Sequence, residues 1–203
     1  MSPTRIPVLL SWSYATRWLV RLTSGLALLT AGTAQAAGAC PALLNTVQPR
    51  LQDEKPINLC ENAGKVLLVV NTASYCGFTP QYKALEALHE RYRDRGLVVL
   101  GFPSNDFSQE PGNGAEIAAF CENTFGVRFP MFAKSHVAPG PGRTVNPLFV
   151  ALQQRSGKAP QWNFHKYLVS RSGEVVISHA SAVDPNVPAF LKDLDRLLKA
   201  KQD

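Results

Sequence analysis

A chain of 203 residues that is 45% hydrophobic and 18% charged holds enough apolar material for one globular domain with a sizeable core. The formal charge is +6, but Arg5, Arg17 and Arg21 lie in an expected leader without acidic residues, and setting them aside leaves 18 basic against 15 acidic residues. So mild a surplus, spread along the chain without interleaved aromatics, argues against nucleic acid as a partner.

The leader is expected to run from Met1 to Ala36. Arg17 and Arg21 precede the apolar, small-residue stretch Leu22–Ala31, and Ala34-Gln35-Ala36 has the small-x-small pattern of a secretory cleavage site. The stretch is too short to span a bilayer, so no stable membrane insertion is expected after cleavage. These features predict a signal peptide over 1–36, a single domain over 37–203, and a periplasmic or secreted location. Four cysteines survive cleavage: Cys40, Cys60, Cys76 and Cys121. No two stand as C-x-x-C, and no pairing with histidines has zinc spacing, so neither a dithiol motif nor a metal centre is expected. Cys40 and Cys60 bracket the segment ahead of the first core strand and are expected to form a structural disulfide in an oxidising compartment.

Val66–Val70 is a short apolar run rich in β-branched residues, the mark of a strand buried on both faces. The loop Asn71–Phe78 follows, with Cys76 in it. Thr79 reads as an N-cap and Pro80 as the first helical residue, so a helix is expected over Thr79–Arg95. Tyr82, Leu85, Leu88 and Tyr92 form its apolar face, and Gly96 ends it. Cys76 thus stands between a buried strand and a helix N-terminus, where partial positive charge and free N–H groups favour a thiolate. A small buried apolar cysteine remains the alternative at that position.

Leu97–Phe102 is the second buried strand, completing a βαβ unit. Pro103–Asn113 is a loop leaving the carboxyl end of that strand, the edge at which sites form in open α/β sheets. A helix is expected over Gly114–Phe125 with Cys121 on its apolar side, where core filling is the alternative to chemistry. A short strand over Phe129–Ala133, a surface turn over Val137–Arg143, and a short helix over Asn146–Gln154 come next. Strands at His165–Ser170 and Glu174–Ser178 form an antiparallel hairpin around Arg171-Ser172-Gly173. An amphipathic helix over Asn186–Ala200 closes the chain. The order, with a parallel front and an antiparallel back, predicts an α/β thioredoxin-like fold: a central mixed sheet with helices on its flanks.

Six segments together resemble the glutathione peroxidase family: Asn71–Thr79, Gly101–Phe107, Gln109–Gly112, Phe120-Cys121, Phe129-Pro130 and Trp162-Asn163-Phe164. They fall in the family's order and span about Gly64 to Val176. The resemblance implies reduction of hydrogen peroxide and of organic or lipid hydroperoxides by a peroxidatic cysteine, with no cofactor. It places Cys76 at the peroxidatic position and Trp162 and Asn163 as hydrogen-bond donors facing it, a role that suits an indole N–H and an amide. Cys121 matches the resolving cysteine of members reduced by thioredoxin, and the α-helix carrying it would have to loosen for the two sulfurs to meet. The reductant is then expected to be a thioredoxin-like protein or glutathione. The chain lacks the long insertion before Trp162 carried by tetrameric relatives, which implies a monomer.

There are departures from the family pattern. Asp106 stands where the family has Gln, and a carboxylate near Cys76 would raise the thiol's pKa. Asp106→Gln is therefore expected to speed Cys76 oxidation, with Asn105 a candidate substitute donor. The loop between Phe107 and Gln109 is one residue short of the family's. Asp106 also motivates an alternative function, a redox sensor or binding domain with an impaired site. A thiol-disulfide oxidoreductase on the same fold is the other alternative, opposed by the missing C-x-x-C.

Overall fold

The computed structural model describes residues 40–200, and the expected leader lies outside them. The chain enters through a 3-10 turn at Ala42–Leu44 and a small antiparallel hairpin, β1 (Val47–Pro49) with β2 (Pro56–Asn58), followed by a second 3-10 turn at Leu59–Asn62. None of these was expected from the sequence. The main sheet has four strands in the order β4-β3-β5-β6: β3 (Val66–Thr72), β4 (Leu97–Pro103), β5 (Lys166–Val169) and β6 (Val176–His179). β3 runs parallel to β4 and antiparallel to β5, and β5 and β6 form the antiparallel hairpin. This is the parallel front and antiparallel back that the segment order predicted.

Helices cover both faces. They are α1 (Gln81–Tyr92), α2 (Gly114–Phe125), α3 (Pro147–Ser156) and α4 (Pro188–Lys199). Alternation along β3 separates two cores. Val66, Leu68 and Val70 pack with Tyr82, Leu85 and Leu88 of α1, Ile117 of α2, and Phe190 and Leu194 of α4. Leu67 and Val69 pack with Leu148, Phe149 and Leu152 of α3. Both faces of β3 are therefore dry, which is why its sequence reads as an unbroken apolar run. α1 continues as a 3-10 turn at Arg93–Arg95 and stops at Gly96, whose φ of 90° is the left-handed conformation that glycine adopts at no steric cost.

Two expectations need correction here. Phe129–Ala133 is not a strand. Its main-chain bonds are divided: Gly101 N–H reaches Pro130 O and Phe132 N–H reaches Gly101 O, while Leu51 N–H and Ala133 N–H connect it to the N-terminal segment. Pro130 has no N–H to extend a ladder, and only isolated bridges form. The segment crosses β4 so closely that a Cβ on Gly101 would collide with the Met131 sulfur. The expected surface turn Val137–Arg143 is only partly at the surface, because Val137 and Ala138 are buried.

Candidate active site

Cys76 lies in the turn that joins β3 to α1. The turn is held by Thr79, but not as a helix cap. Helix α1 has Pro80 at its N-cap without a side-chain cap, because Thr79 Oγ1 is spent on the turn itself. It accepts the Cys76 N–H at 3.0 Å and donates to Ala73 O at 2.9 Å. Two residues on, the Phe78 N–H points at Cys76 Sγ, 3.4 Å away. The thiol is free and buried, 8% exposed, while its neighbours Tyr75 and Gly77 are exposed.

The Trp162-Asn163-Phe164 segment is brought up to this turn by β3 and the 103–113 loop. Asn71, near the end of β3, donates from Nδ2 to Trp162 O at 3.1 Å, and its carbonyl accepts the Phe164 N–H at 2.6 Å. Asn163 Nδ2 donates to Gln109 Oε1 at 2.8 Å, and Gln109 O accepts the Tyr75 N–H at 3.1 Å. Asn163 is thus joined to the Cys76 turn through Gln109. Trp162 is half-exposed, packs against Phe107 with ring centres 5.4 Å apart, and shares with Phe78 a cavity of about 520 Å³. Among the described residues neither Trp162 nor Asn163 hydrogen-bonds Cys76 Sγ directly.

Asp106 does not join this group. His136 Nδ1 lies 2.6 Å from its Oδ1, the N–H groups of Val137 and Ala138 donate to its Oδ2 at 2.7 and 2.9 Å, and Arg143 lies 3.5 Å away. Burial works to raise this carboxyl, but His136 and the two amides outweigh it and hold the pKa below the ordinary range. Both oxygens are committed to the 136–143 segment, so the carboxylate is an anchor rather than a neighbour of the thiol. Asn105 accepts the Glu110 N–H on its Oδ1 at 2.8 Å, and among the described residues it makes no hydrogen bond to Cys76.

Gln109 was missed in the sequence, although the shortened loop was the signal. The chain turns through Ser108 at φ 57° and brings the next side chain onto Asn163. Glu110 was missed as well. It is fully buried, accepts Ser74 Oγ–H at 3.0 Å, and burial pushes its carboxyl above the usual value. Cys121 lies on the buried face of α2 in the same apolar layer as Cys76, where desolvation pushes its thiol up to about 11. Nothing links the two sulfurs directly. Cys40 and Cys60 are disulfide-bonded as expected, with Cα atoms 5.3 Å apart. Among the described residues there is no cluster of potential metal ligands.

Known proteins bear on the site at this point. Residues 44–153 match the family model for glutathione peroxidase. The Schizosaccharomyces pombe glutathione peroxidase-like peroxiredoxin gpx1 is 46% identical over 142 residues, covering 68% of this chain and 88% of its own. The Synechocystis hydroperoxy fatty acid reductase gpx1 is 47% identical over 157 residues, covering 72% and 90%. The crystal structure of Trgpx in its apo form superposes with a TM-score of 0.61 at 29% identity, covering 79% of this chain and 98% of that one. A Corynebacterium glutamicum thiol-disulfide isomerase, at 21% identity and a TM-score of 0.57 over 80% of this chain and 99% of its own, shares the thioredoxin-like fold alone. With the fold, the buried free thiol and these relatives in agreement, the chain belongs to the glutathione peroxidase family and is a thiol-dependent peroxidase.

Proposed function

We propose that Cys76 is the peroxidatic residue and that turnover proceeds through a sulfenic acid on it. The Cys76 thiolate attacks the O–O bond of a hydroperoxide. One oxygen stays on sulfur as Cys76–SOH, and the other leaves as an alcohol or water after taking a proton. The Cys121 thiol then displaces the hydroxyl, which departs as water, and a Cys76–Cys121 disulfide remains. A thioredoxin-like protein reduces it by exchange. The observation that carries this reading is the Phe78 N–H on Cys76 Sγ, inside a turn whose geometry Thr79 enforces. Trp162 and Asn163 are the further donors for the departing oxygen, and Gln109 supplies the amide missing at position 106.

Hydrogen peroxide and organic hydroperoxides, fatty-acid hydroperoxides among them, are the substrates. The rings of Tyr75, Phe78, Phe107 and Trp162, all at least partly exposed, suit an apolar one, and one relative is named a hydroperoxy fatty acid reductase. The chain acts after export and removal of residues 1–36, a reading supported by the leader pattern and by the Cys40–Cys60 bond, of a kind that persists in oxidising compartments. It acts as a monomer, a reading supported by the short segment before Trp162. The impaired-site alternative loses its motive, because the Asp106 carboxylate is engaged elsewhere.

The test is to treat the reduced protein with one equivalent of hydrogen peroxide and map its cysteines by mass spectrometry. A Cys76–Cys121 bond beside an intact Cys40–Cys60 bond is expected. Sulfinic or glutathione-capped Cys76 with Cys121 free would make glutathione or another small thiol the reductant. An untouched Cys76 would overturn the peroxidatic assignment.

A further inference from the structure

The Lys166 side chain is fully buried on β5, yet among the described residues no carboxylate lies within ion-pair distance of it. Three neutral oxygens accept hydrogen bonds from its Nζ instead: Gln81 Oε1 at 2.7 Å, Phe164 O at 2.6 Å and Ser181 O at 3.1 Å. Burying an ammonium without an ion-pair partner is costly, and burial pulls this one down to about 7 against a smaller opposing effect of the Asp184 carboxylate. Its three partners come from different parts of the molecule. Gln81 is the first residue of α1, directly after the Cys76 turn, and its own Nε2 donates to Ser181 O at 2.9 Å. Phe164 follows Trp162-Asn163 and has φ 61°, a conformation a bulky residue holds only when its surroundings impose it. Asn71 grips Trp162 O and the Phe164 N–H; Lys166 grips the remaining Phe164 carbonyl.

We propose that Lys166 is a positioning residue: by clamping the Phe164 carbonyl to the start of α1, it holds the Trp162-Asn163 donors in register with the Cys76 turn. The proposal rests on the reading of Cys76, Trp162 and Asn163 given above. Without the clamp Phe164 is free to leave the left-handed region, and the two residues before it swing with it. An apolar residue at 166 would satisfy packing, but it would leave the Phe164 carbonyl buried and unmatched.

The test compares two reactions of Cys76 in the full-length reduced protein carrying Lys166→Met, once circular dichroism shows the fold retained. Oxidation by hydrogen peroxide needs the thiolate and the placed donors; alkylation by iodoacetamide needs the thiolate alone. Peroxide oxidation is expected to slow about tenfold or more, with alkylation within about twofold of the unaltered chain. Gln81→Leu, which removes one arm of the clamp, should give the same pattern at a few-fold scale, and it carries the test if Lys166→Met does not fold. Equal rates for both reactions would overturn the proposal. A parallel fall in both would also overturn it, because Lys166 would then act on the thiolate itself. Peroxide consumption that survives Cys76→Ser would instead defeat the peroxidatic reading beneath it.

Discussion

At the scale of single residues, the same side-chain chemistry acts oppositely according to where the fold aims it. Asp106 looks damaging in the sequence because a carboxylate beside a thiol opposes ionisation. In the fold it accepts two main-chain N–H groups and pairs with His136 and Arg143. Asp106→Gln is therefore expected to cost about 2 kcal/mol of stability, in the range for hydrogen bonds to a charged group, and to leave the rate of Cys76 oxidation no higher. Urea unfolding and stopped-flow oxidation of the same variant check both halves. Lys166 provides the pH test. Its pKa is about 7 in the folded chain against 10.5 ordinarily, so between those values the unfolded chain binds more protons at this site than the folded one. Stability should climb with pH across that window, and below it the cost of the buried cation is felt in full. Urea midpoints measured from pH 7 to 10 should show this climb relative to Lys166→Met, and a constant difference would mean that the site does not titrate there.

At the scale of elements, α2 carries the mechanical demand of the proposed cycle. Cys121 is a free thiol buried on its inner face, and on the proposed cycle the helix opens to bring it to Cys76. Its N-terminus is locked by a capping box: Asn113 Oδ1 accepts the Glu116 N–H at 3.0 Å, and Glu116 Oε2 accepts the Asn113 N–H at 2.9 Å. Asn113→Ala should weaken the helix by about 1 kcal/mol. The open population then rises about fivefold, a tenfold change being 1.4 kcal/mol. Disulfide closure after peroxide treatment should accelerate by that factor, with sulfenic acid formation unchanged. Rapid-quench mapping of the two steps separates them, and an unchanged closure rate would mean that opening of α2 is not limiting.

At the scale of the whole molecule, the Cys40–Cys60 bond, with a sequence separation of 20, ties the segment just before the first 3-10 turn to the second turn. Replacing both with Ser should cost about 3 kcal/mol, the loop-closure entropy returned to the unfolded chain. Thermal unfolding should report it, with peroxide kinetics unaltered. The order and type of the main-sheet strands and of all four helices were legible in the sequence. Each of these elements carries its own periodicity and terminal signals, as α2 shows in matching its expected Gly114–Phe125 bounds. The Cys40–Cys60 pairing was legible too, because the two cysteines bracket the segment ahead of the first core strand. The N-terminal hairpin was not, since three-residue strands leave no periodicity to read. Nor was the role of Thr79, whose hydroxyl caps a helix or braces a turn with the same atoms. What the sequence determined by itself is the sheet, its helices and the thiol at the end of β3, because these follow from local pattern. Only the tertiary structure decided that Asp106 turns away, that Gln109 meets Asn163 and that Lys166 clamps Phe164 to α1. Those are contacts between segments up to 85 residues apart, and their direction depends on backbone turns that side-chain identity does not encode.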